Sequence, residues 1–368
     1  MKLLVIPTTD WTGHPVPNRL NFVFDRLAIR HDVDVCHFKL FSKAVRETKC
    51  NLVDMDDEWT PGVRSYYLKR FFQHSSRISK ISNEYDAIIS SNILPGFISG
   101  LQNCPMIVDY MDLYPESAAS YFSPPMDRLV HGTVSFISEI NMETASGIIT
   151  PTDRFKKYLN SRISTSVEVI PNGVDTKLMH PVDSGDVIER YDLGSPVLGY
   201  AGSLESWIAL DDVFEMFSAI QKRYPRASIL IVGGALHTDY EEYLKKEARK
   251  RKIPVTFTGN IPYNELAPYI SAMDIGLNPR KPKDMNRLTM GSKVLTYLAC
   301  GVPVLSSNMP AAEEKFDRGK GVYRYGNKEE FMRKLDLALS SKVDPAVIKK
   351  YDWDIIAKKY EMTIRKFL

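Results

Sequence analysis

Along the whole chain, short apolar runs rich in β-branched residues alternate with longer stretches of helical period, and this alternation restricts the fold more than any other feature. In the first half, residues 2–6 (KLLVI), 33–37, 87–90, 106–109, 147–150 and 167–170 read as strands; in the second half, 197–201, 228–232, 255–258, 275–278 and 304–306 do. Runs that are apolar throughout, rather than alternating with polar residues, belong to parallel sheets covered on both faces. The stretches between them supply that cover. From Leu210, the apolar positions Leu210, Val213, Phe214, Phe217 and Ile220 follow helical spacing, with Asp211 and Asp212 in the first turn. Residues 240–252, 265–273 and 292–300 read as helices on the same grounds. Two arrays of about six strands predict an α/β chain of two doubly wound, Rossmann-like domains rather than a single barrel.

A length of 368 residues fits two domains at about 150 residues each. The first is expected over 1–175, where a strand runs into Pro171-Asn172-Gly173 and then a polar connection holding Pro181 and Gly185. The second is expected over 176–345, and 346–368 as a terminal helix bent near Tyr351-Asp352-Trp353. Two such domains facing each other make a cleft at the carboxyl ends of both sheets, where ligands of open α/β sheets bind.

Several function classes drop out. A net charge of +3, from 48 Lys+Arg against 45 Asp+Glu, gives no basis for a nucleic-acid partner. No apolar run approaches the roughly 18 residues that span a bilayer, and the opening run stops at Pro7, short of a signal-peptide core. Cys36, Cys50, Cys104 and Cys300 form no Cys-x-x-Cys pair, which fits reduced thiols and a cytoplasmic location. The histidines are scattered, so no metal site is expected. Neither a Gly-x-Gly-x-x-Gly fingerprint nor a Walker sequence occurs, which disfavours hydride transfer and P-loop chemistry.

What chemistry remains is concentrated between residues 198 and 305. Gly202-Ser203 follows a strand and precedes the helix at Leu210, a place where small residues let backbone approach a phosphate; the plain alternative is a tight turn. Gly233-Gly234 ends the next strand in another permissive turn. Arg280, Lys281, Lys283, Arg287 and Lys293 cluster around a helix opening at Gly291-Ser292, a set able to neutralise a diphosphate or simply to face water.

The ordered motifs VIPNGVD, GYAGSL, ILIVGG, FTGNIPYNELAPYISAMDIGLNP and SKVLTYLACGVPVLS, with a terminal YDW helix, resemble the retaining glycosyltransferase family 4, of the GT-B fold. In the first half, IVDYMDLYPES resembles a segment of its polysaccharide-type members. The resemblance implies a nucleotide-diphosphate sugar on the second domain, an acceptor on the first, and a terminal helix returning to the first. It implies that Gly202 and Ser203 approach the diphosphate, that Lys293 contacts its phosphate oxygens, and that the loop Gly259-Asn260-Ile261 receives the base; Arg280 is expected as a second diphosphate clamp, with Gly233 and Ser292 as further donor contacts. Asp112 falls where relatives carry an active-site His, and its carboxylate would steady a sugar hydroxyl or oxocarbenium charge. No metal or other cofactor is expected. The chain departs from the family at its usual Glu pair, where Leu288 and Thr296 stand; Thr296 would make one weaker ribose contact, and Asp284 is a stand-in for the first Glu. The usual Arg and Lys after the Gly-rich turn are also replaced, by Ser203-Leu204-Glu205-Ser206-Trp207.

Two features of the first half bear on the acceptor. Residues 64–80, from Arg64 to Lys80, hold five basic residues and no acid, with Lys69, Gln73, Arg77 and Lys80 on one helical face and Tyr67, Phe71 and Ile78 on another. Such a stretch suits an anionic membrane surface, or a domain helix with its aromatics in the core. The loop 8–19 follows the first strand and would gate the acceptor through Gly13, His14, Asn18 and Arg19, unless it is a Pro-stiffened surface loop. The expectation is thus a hexosyltransferase using a UDP- or GDP-sugar and a glycan or lipid-linked acceptor, peripheral at the cytoplasmic face of a membrane. Its rivals are a catalytically weak or inactive partner subunit of the same fold and a GT-B sugar epimerase.

Overall fold

The computed structural model describes residues 1–41, 44–59, 66–205, 207–235, 239–308, 316 and 320–368, without the side chains of Asp284 and Met285. Arg64, Ser206 and the Asp284 stand-in therefore lie outside the described residues. The chain divides into two compact units, Met1–Asn172 with Trp353–Leu368, and Gly173–Asp352. The first division falls three residues before the expected 175 and the second well past the expected 345. Backbone pairing explains both shifts: Val174 N–H donates to the Tyr351 carbonyl, and Thr176 N–H to the Asp352 carboxylate, which ties residues 345–352 to the second unit.

In the first unit seven parallel strands lie in the order β3-β2-β1-β4-β5-β6-β7, with β1 Lys2–Ile6, β2 Asp32–His37, β3 Asn51–Asp54, β4 Ala87–Ser90, β5 Met106–Asp109, β6 Gly147–Thr150 and β7 Val167–Val169. Residues Leu3 to Ile6 are wholly buried, as a strand covered on both faces requires. The terminal helix Trp353–Phe367 belongs to this unit because Trp353, Ile356, Ala357, Tyr360 and Ile364 line one face and join the core around Leu20, Val23 and Phe24. Trp353 stacks on Phe22 at 5.0 Å and Tyr360 meets Phe24 edge-on at 5.5 Å. Each such buried side chain is worth about 1.5–3 kcal/mol relative to exposure.

The second unit has six parallel strands in the order β10-β9-β8-β11-β12-β13, with β8 Val197–Ala201, β9 Ser228–Val232, β10 Val255–Phe257, β11 Ile275–Asn278, β12 Val304–Ser307 and β13 Val322–Tyr325. Both sheets are Rossmann-like, and the fold is GT-B. The strands that sequence reading missed, β3 (NLVD) and β13 (VYRY), are edge strands with too few apolar residues in a row to stand out; the opposite edges, β7 and β10, were read. The expected helix over 265–273 is a 3-10 turn, Tyr263–Glu265, and a short helix, Ala267–Ser271, separated where Pro268 sets a new first turn. Likewise 346–368 is not one helix: Pro345–Tyr351 is 3-10 and the α-helix starts at Trp353.

Candidate functional site

The strands of the second unit deliver their loops to one edge of the sheet, and those loops are laced together. Gly202 N–H donates to Val232 O at 2.8 Å, Leu204 N–H to Gly234 O at 3.1 Å, and Gly233 N–H to Gly259 O at 2.8 Å. Gly202 (φ +142°) and Gly233 (φ +126°) hold backbone that L side chains rarely adopt. A Cβ on Gly233 would run into the Gly202 carbonyl, and one on Gly202 would stand 2.8 Å from Lys293 Cε. The expected diphosphate turn and the expected base loop are thus neighbours, with Asn260 exposed and Ile261 packed on the core.

Lys293 is aimed at Gly202 by the helix that carries it, Ser292–Ala299. One turn on, on the same face, fully buried Tyr297 accepts from Ala201 N–H at 2.8 Å and donates to Leu277 O at 3.3 Å. That cross-link fixes the helix to the ends of β8 and β11; Gly276 makes room for the Tyr297 ring. Lys293 Nζ lies 5.0 Å over the Tyr200 ring, and it has no carboxylate partner among the described residues. Burial, with the nearby Arg280 charge, holds its ammonium well below the usual lysine range.

Arg280 is held by neutral groups. Its guanidinium donates to Asn286 Oδ1 at 3.2 Å, and its backbone exchanges hydrogen bonds with the Ser307 hydroxyl at 2.9 and 3.1 Å. The helix Ser292–Ala299 begins at Gly291 with no side-chain cap, and a Cβ on Gly291 would come within 2.8 Å of Arg280. Two uncompensated cations therefore stand beside an uncapped helix N-terminus, where unsatisfied N–H groups and the helix dipole also attract anions. The helix at Leu210, expected to serve the anion, does not qualify. Asp211 and Asp212 occupy its first turn, and Lys281, one of the expected clamp residues, is drawn off to Asp211 at 3.4 Å. Thr296 is buried, its hydroxyl donating back to Ser292 O at 3.3 Å.

Sequence reading passed over Glu205. It is 3% exposed, its Oε2 has no hydrogen-bond partner, and burial pushes its carboxyl up to about 7. An unfolded glutamate ionises near 4.3, so the folded state holds a proton that the unfolded state releases, and stability falls as pH rises from about 4.5 to 7. Glu205→Gln, which cannot ionise, should match wild type in urea unfolding at pH 4.5 and exceed it at pH 8 by as much as about 3 kcal/mol. A gap that does not widen with pH would contradict the buried-carboxyl assignment. Tyr200, Asn286 and Tyr297 were missed as well, since each sits inside an apolar or basic run that reads as core or as charge.

In the first unit, the loop expected to gate an acceptor is tied down. Asp10 accepts from the N–H groups of Thr12, Gly13, Leu40 and Phe41; burial opposes its ionisation, but His37 and those amides outweigh it and hold its pKa low. Gly13 is needed because a Cβ would press on Asp10. Asn18 caps the helix Arg19–Leu27, and the His14 ring bonds the Val16 backbone and abuts Phe41. Arg19 is 3% exposed, ion-paired to Asp109 and bonded to Ile170 O at 2.6 Å. Asn18 and Arg19 are thus committed to the fold rather than to a ligand. Asp112 is exposed, three residues past β5. The basic stretch forms two helices, Tyr66–Lys69 and Phe71–Ile81, burying Tyr66, His74 and Ile78. Arg77 pairs with Asp57, while Leu68 and Phe72 are 69% and 86% exposed.

The chain is similar to several known proteins. Residues 195–341 match the family model described as glycosyl transferases group 1. A probable sucrose-phosphate synthase of Thermosipho melanesiensis is 25% identical over an alignment of 251 residues that covers 62% of this chain. The match spans 56% of that relative, little more than half its length. Among solved structures, sucrose-phosphate synthase of Thermosynechococcus elongatus superposes with a TM-score of 0.79 at 16% identity, covering 99% of this chain and 98% of its own. Anabaena HepE in complex with UDP and glucose gives 0.77 at 16% identity over the whole of both chains. No helix among the described residues is long and apolar enough to cross a membrane.

Proposed function

Because the chain is a GT-B protein of the group 1 glycosyltransferase type, we propose that it moves a hexose from a nucleotide-diphosphate sugar to a glycan or lipid-linked acceptor, with retention of configuration. The observation that carries this reading is the pair Arg280 and Lys293, uncompensated cations beside Gly202 and an uncapped helix. They neutralise the diphosphate as the bond from the anomeric carbon to its oxygen breaks, so no metal is required of the mechanism. The acceptor oxygen bonds to the same face of that carbon, and its proton passes to the departing phosphate oxygen. Asp112 supplies the carboxylate that steadies the developing positive charge. Gly202, Ser203 and Gly233 admit the diphosphate, Ser292 lies at the helix start, and Asn260 and Ile261 receive the base. The HepE complexes with UDP and UDP-glucose favour uracil over guanine.

Leu68 and Phe72, exposed on the two helices that also carry Lys69 and Lys80, support a membrane-proximal acceptor and a place on the cytoplasmic face. Thr296, bonded to its own helix where relatives grip ribose, favours the inactive-partner reading. A thermal-shift screen of UDP, GDP and their hexose conjugates separates the possibilities, since a ligand that binds only the native state raises Tm. A UDP-sugar should stabilise the protein and turn over with a glycan acceptor. Binding without turnover would favour the inactive partner, and no binding by any nucleotide would end the donor-site reading. Flotation with phosphatidylglycerol vesicles, absent with neutral ones, checks the membrane clause.

A further inference from the structure

The first unit holds a polar pocket at the carboxyl end of β4 and β5, between the helices Ile93–Gly100 and Met126–Thr144. Ser90, Tyr110, Tyr114, Ser138 and Asn141 contribute to its walls. Its volume is about 250 Å³ including the mouth, and its floor has room for one water-sized group. Ser138 and Asn141 are 3% and 5% exposed. Asn141 spends its Nδ2 on Ile93 O at 2.8 Å, which turns its Oδ1 away from that bond; Oδ1 and the Tyr114 hydroxyl are both buried without a hydrogen-bond partner. Buried polar atoms of this kind cost stability unless something bonds them.

The chemistry of the walls narrows what that something is. An amide oxygen needs a donor, a tyrosine hydroxyl gives or takes a bond, and the Ser138 hydroxyl does either, while Ser90 Oγ already donates to Asn92 O at 3.1 Å and can only accept. A single group able to donate and accept at once is a hydroxyl, of water or of an alcohol. An anion is disfavoured: the pocket has no cation in its walls, while Asp112 and Asp109 act on Tyr114, and Glu116 and Asp112 on Tyr110, raising both phenols in addition to the larger effect of burial. We propose that this pocket is a subsite for one hydroxyl or hydroxymethyl group of a neutral saccharide. That the saccharide is the acceptor rests on the glycosyl-transfer reading above; the subsite itself does not.

Saturation-transfer NMR with the methyl α-glycosides of glucose, galactose and mannose tests the subsite on the full chain. At least one glycoside should receive saturation from wild type. Tyr114→Phe, which deletes one hydroxyl, and Ser138→Val, which narrows the floor, should each weaken it by about tenfold. UDP affinity, measured on the same samples, reports folding and the second unit, and should not change. No transfer to any glycoside, equal transfer in wild type and both variants, or displacement by inorganic phosphate would each overturn the proposal. Should Ser138→Val fail to fold, Tyr114→Phe decides alone. Glycoside contact without UDP binding would leave the subsite standing and remove the glycosyl-transfer reading instead.

Discussion

Lys293→Ala is expected to lower transfer from a UDP-sugar by about 10²–10³-fold while leaving the urea midpoint close to wild type. The ammonium sits next to Gly202 and over the Tyr200 ring, with the Arg280 charge acting on it and no carboxylate paired to it among the described residues. Two cations in that position repel each other until an anion arrives, so the interaction is worth most when diphosphate charge is greatest, at bond cleavage. Burial first, and Arg280 second, keep the free-state pKa of Lys293 low. The negative charge of a bound diphosphate opposes both influences and raises it. UDP binding should therefore take up a proton above the pH at which free Lys293 begins to deprotonate, and affinity should fall as pH rises through that range. Calorimetry in buffers of differing ionisation enthalpy reads this directly: wild type shows uptake, and Lys293→Ala shows less. Lys293→Met keeps the stem against Tyr200 and separates charge from packing. Turnover in either variant within a few-fold of wild type would refute the clamp.

The residues of the proposed clamp were legible in the sequence because they sit at strand ends and helix starts, which local patterns mark well. Gly202, Gly233 and Lys293 each follow or open an element whose apolar period is plain. The residues that aim the clamp were not legible. Tyr297 reads as one more apolar position of its helix, yet its hydroxyl joins β8 to β11; Asn286 looks like a spacer among cations, yet it holds Arg280. The Tyr297 role depends on partners 96 and 20 residues away, which no short window contains; Asn286 acts on Arg280 from only six residues off, across a turn that no local pattern marks. The interior strands were legible by the same logic, and so were the edges β7 and β10; β3 was not, having only two apolar residues in NLVD, nor was β13, where Arg324 interrupts VYRY. Loop 8–19 shows the opposite error. Its place after β1 suggested a ligand contact, but Asp109, ninety residues away, claims Arg19.

That pairing leads to the largest stability effect expected of a single substitution here. Arg19 donates through Nε to Asp109 Oδ2 at 3.0 Å and through a second nitrogen to Oδ1, while the Tyr360 hydroxyl donates to Oδ2 at 2.9 Å. The Ile170 carbonyl accepts the remaining arm. Helix Arg19–Leu27, the end of β5, the residue after β7 and the terminal helix thus meet at one carboxylate that is wholly buried. Asp109→Asn keeps the shape but leaves a guanidinium out of water with no counter-charge, at a cost of about 3–5 kcal/mol. Arg19→Met strands the carboxylate instead and should cost a similar amount. The double substitution removes both charges, so its loss should fall well short of the sum. Urea unfolding followed by fluorescence suits the measurement, because Trp11 and Trp353 are both buried in this unit. A gating Arg19 would behave in the contrary way, with acceptor use lost and stability unchanged; an Asp109→Asn midpoint near wild type would restore that reading.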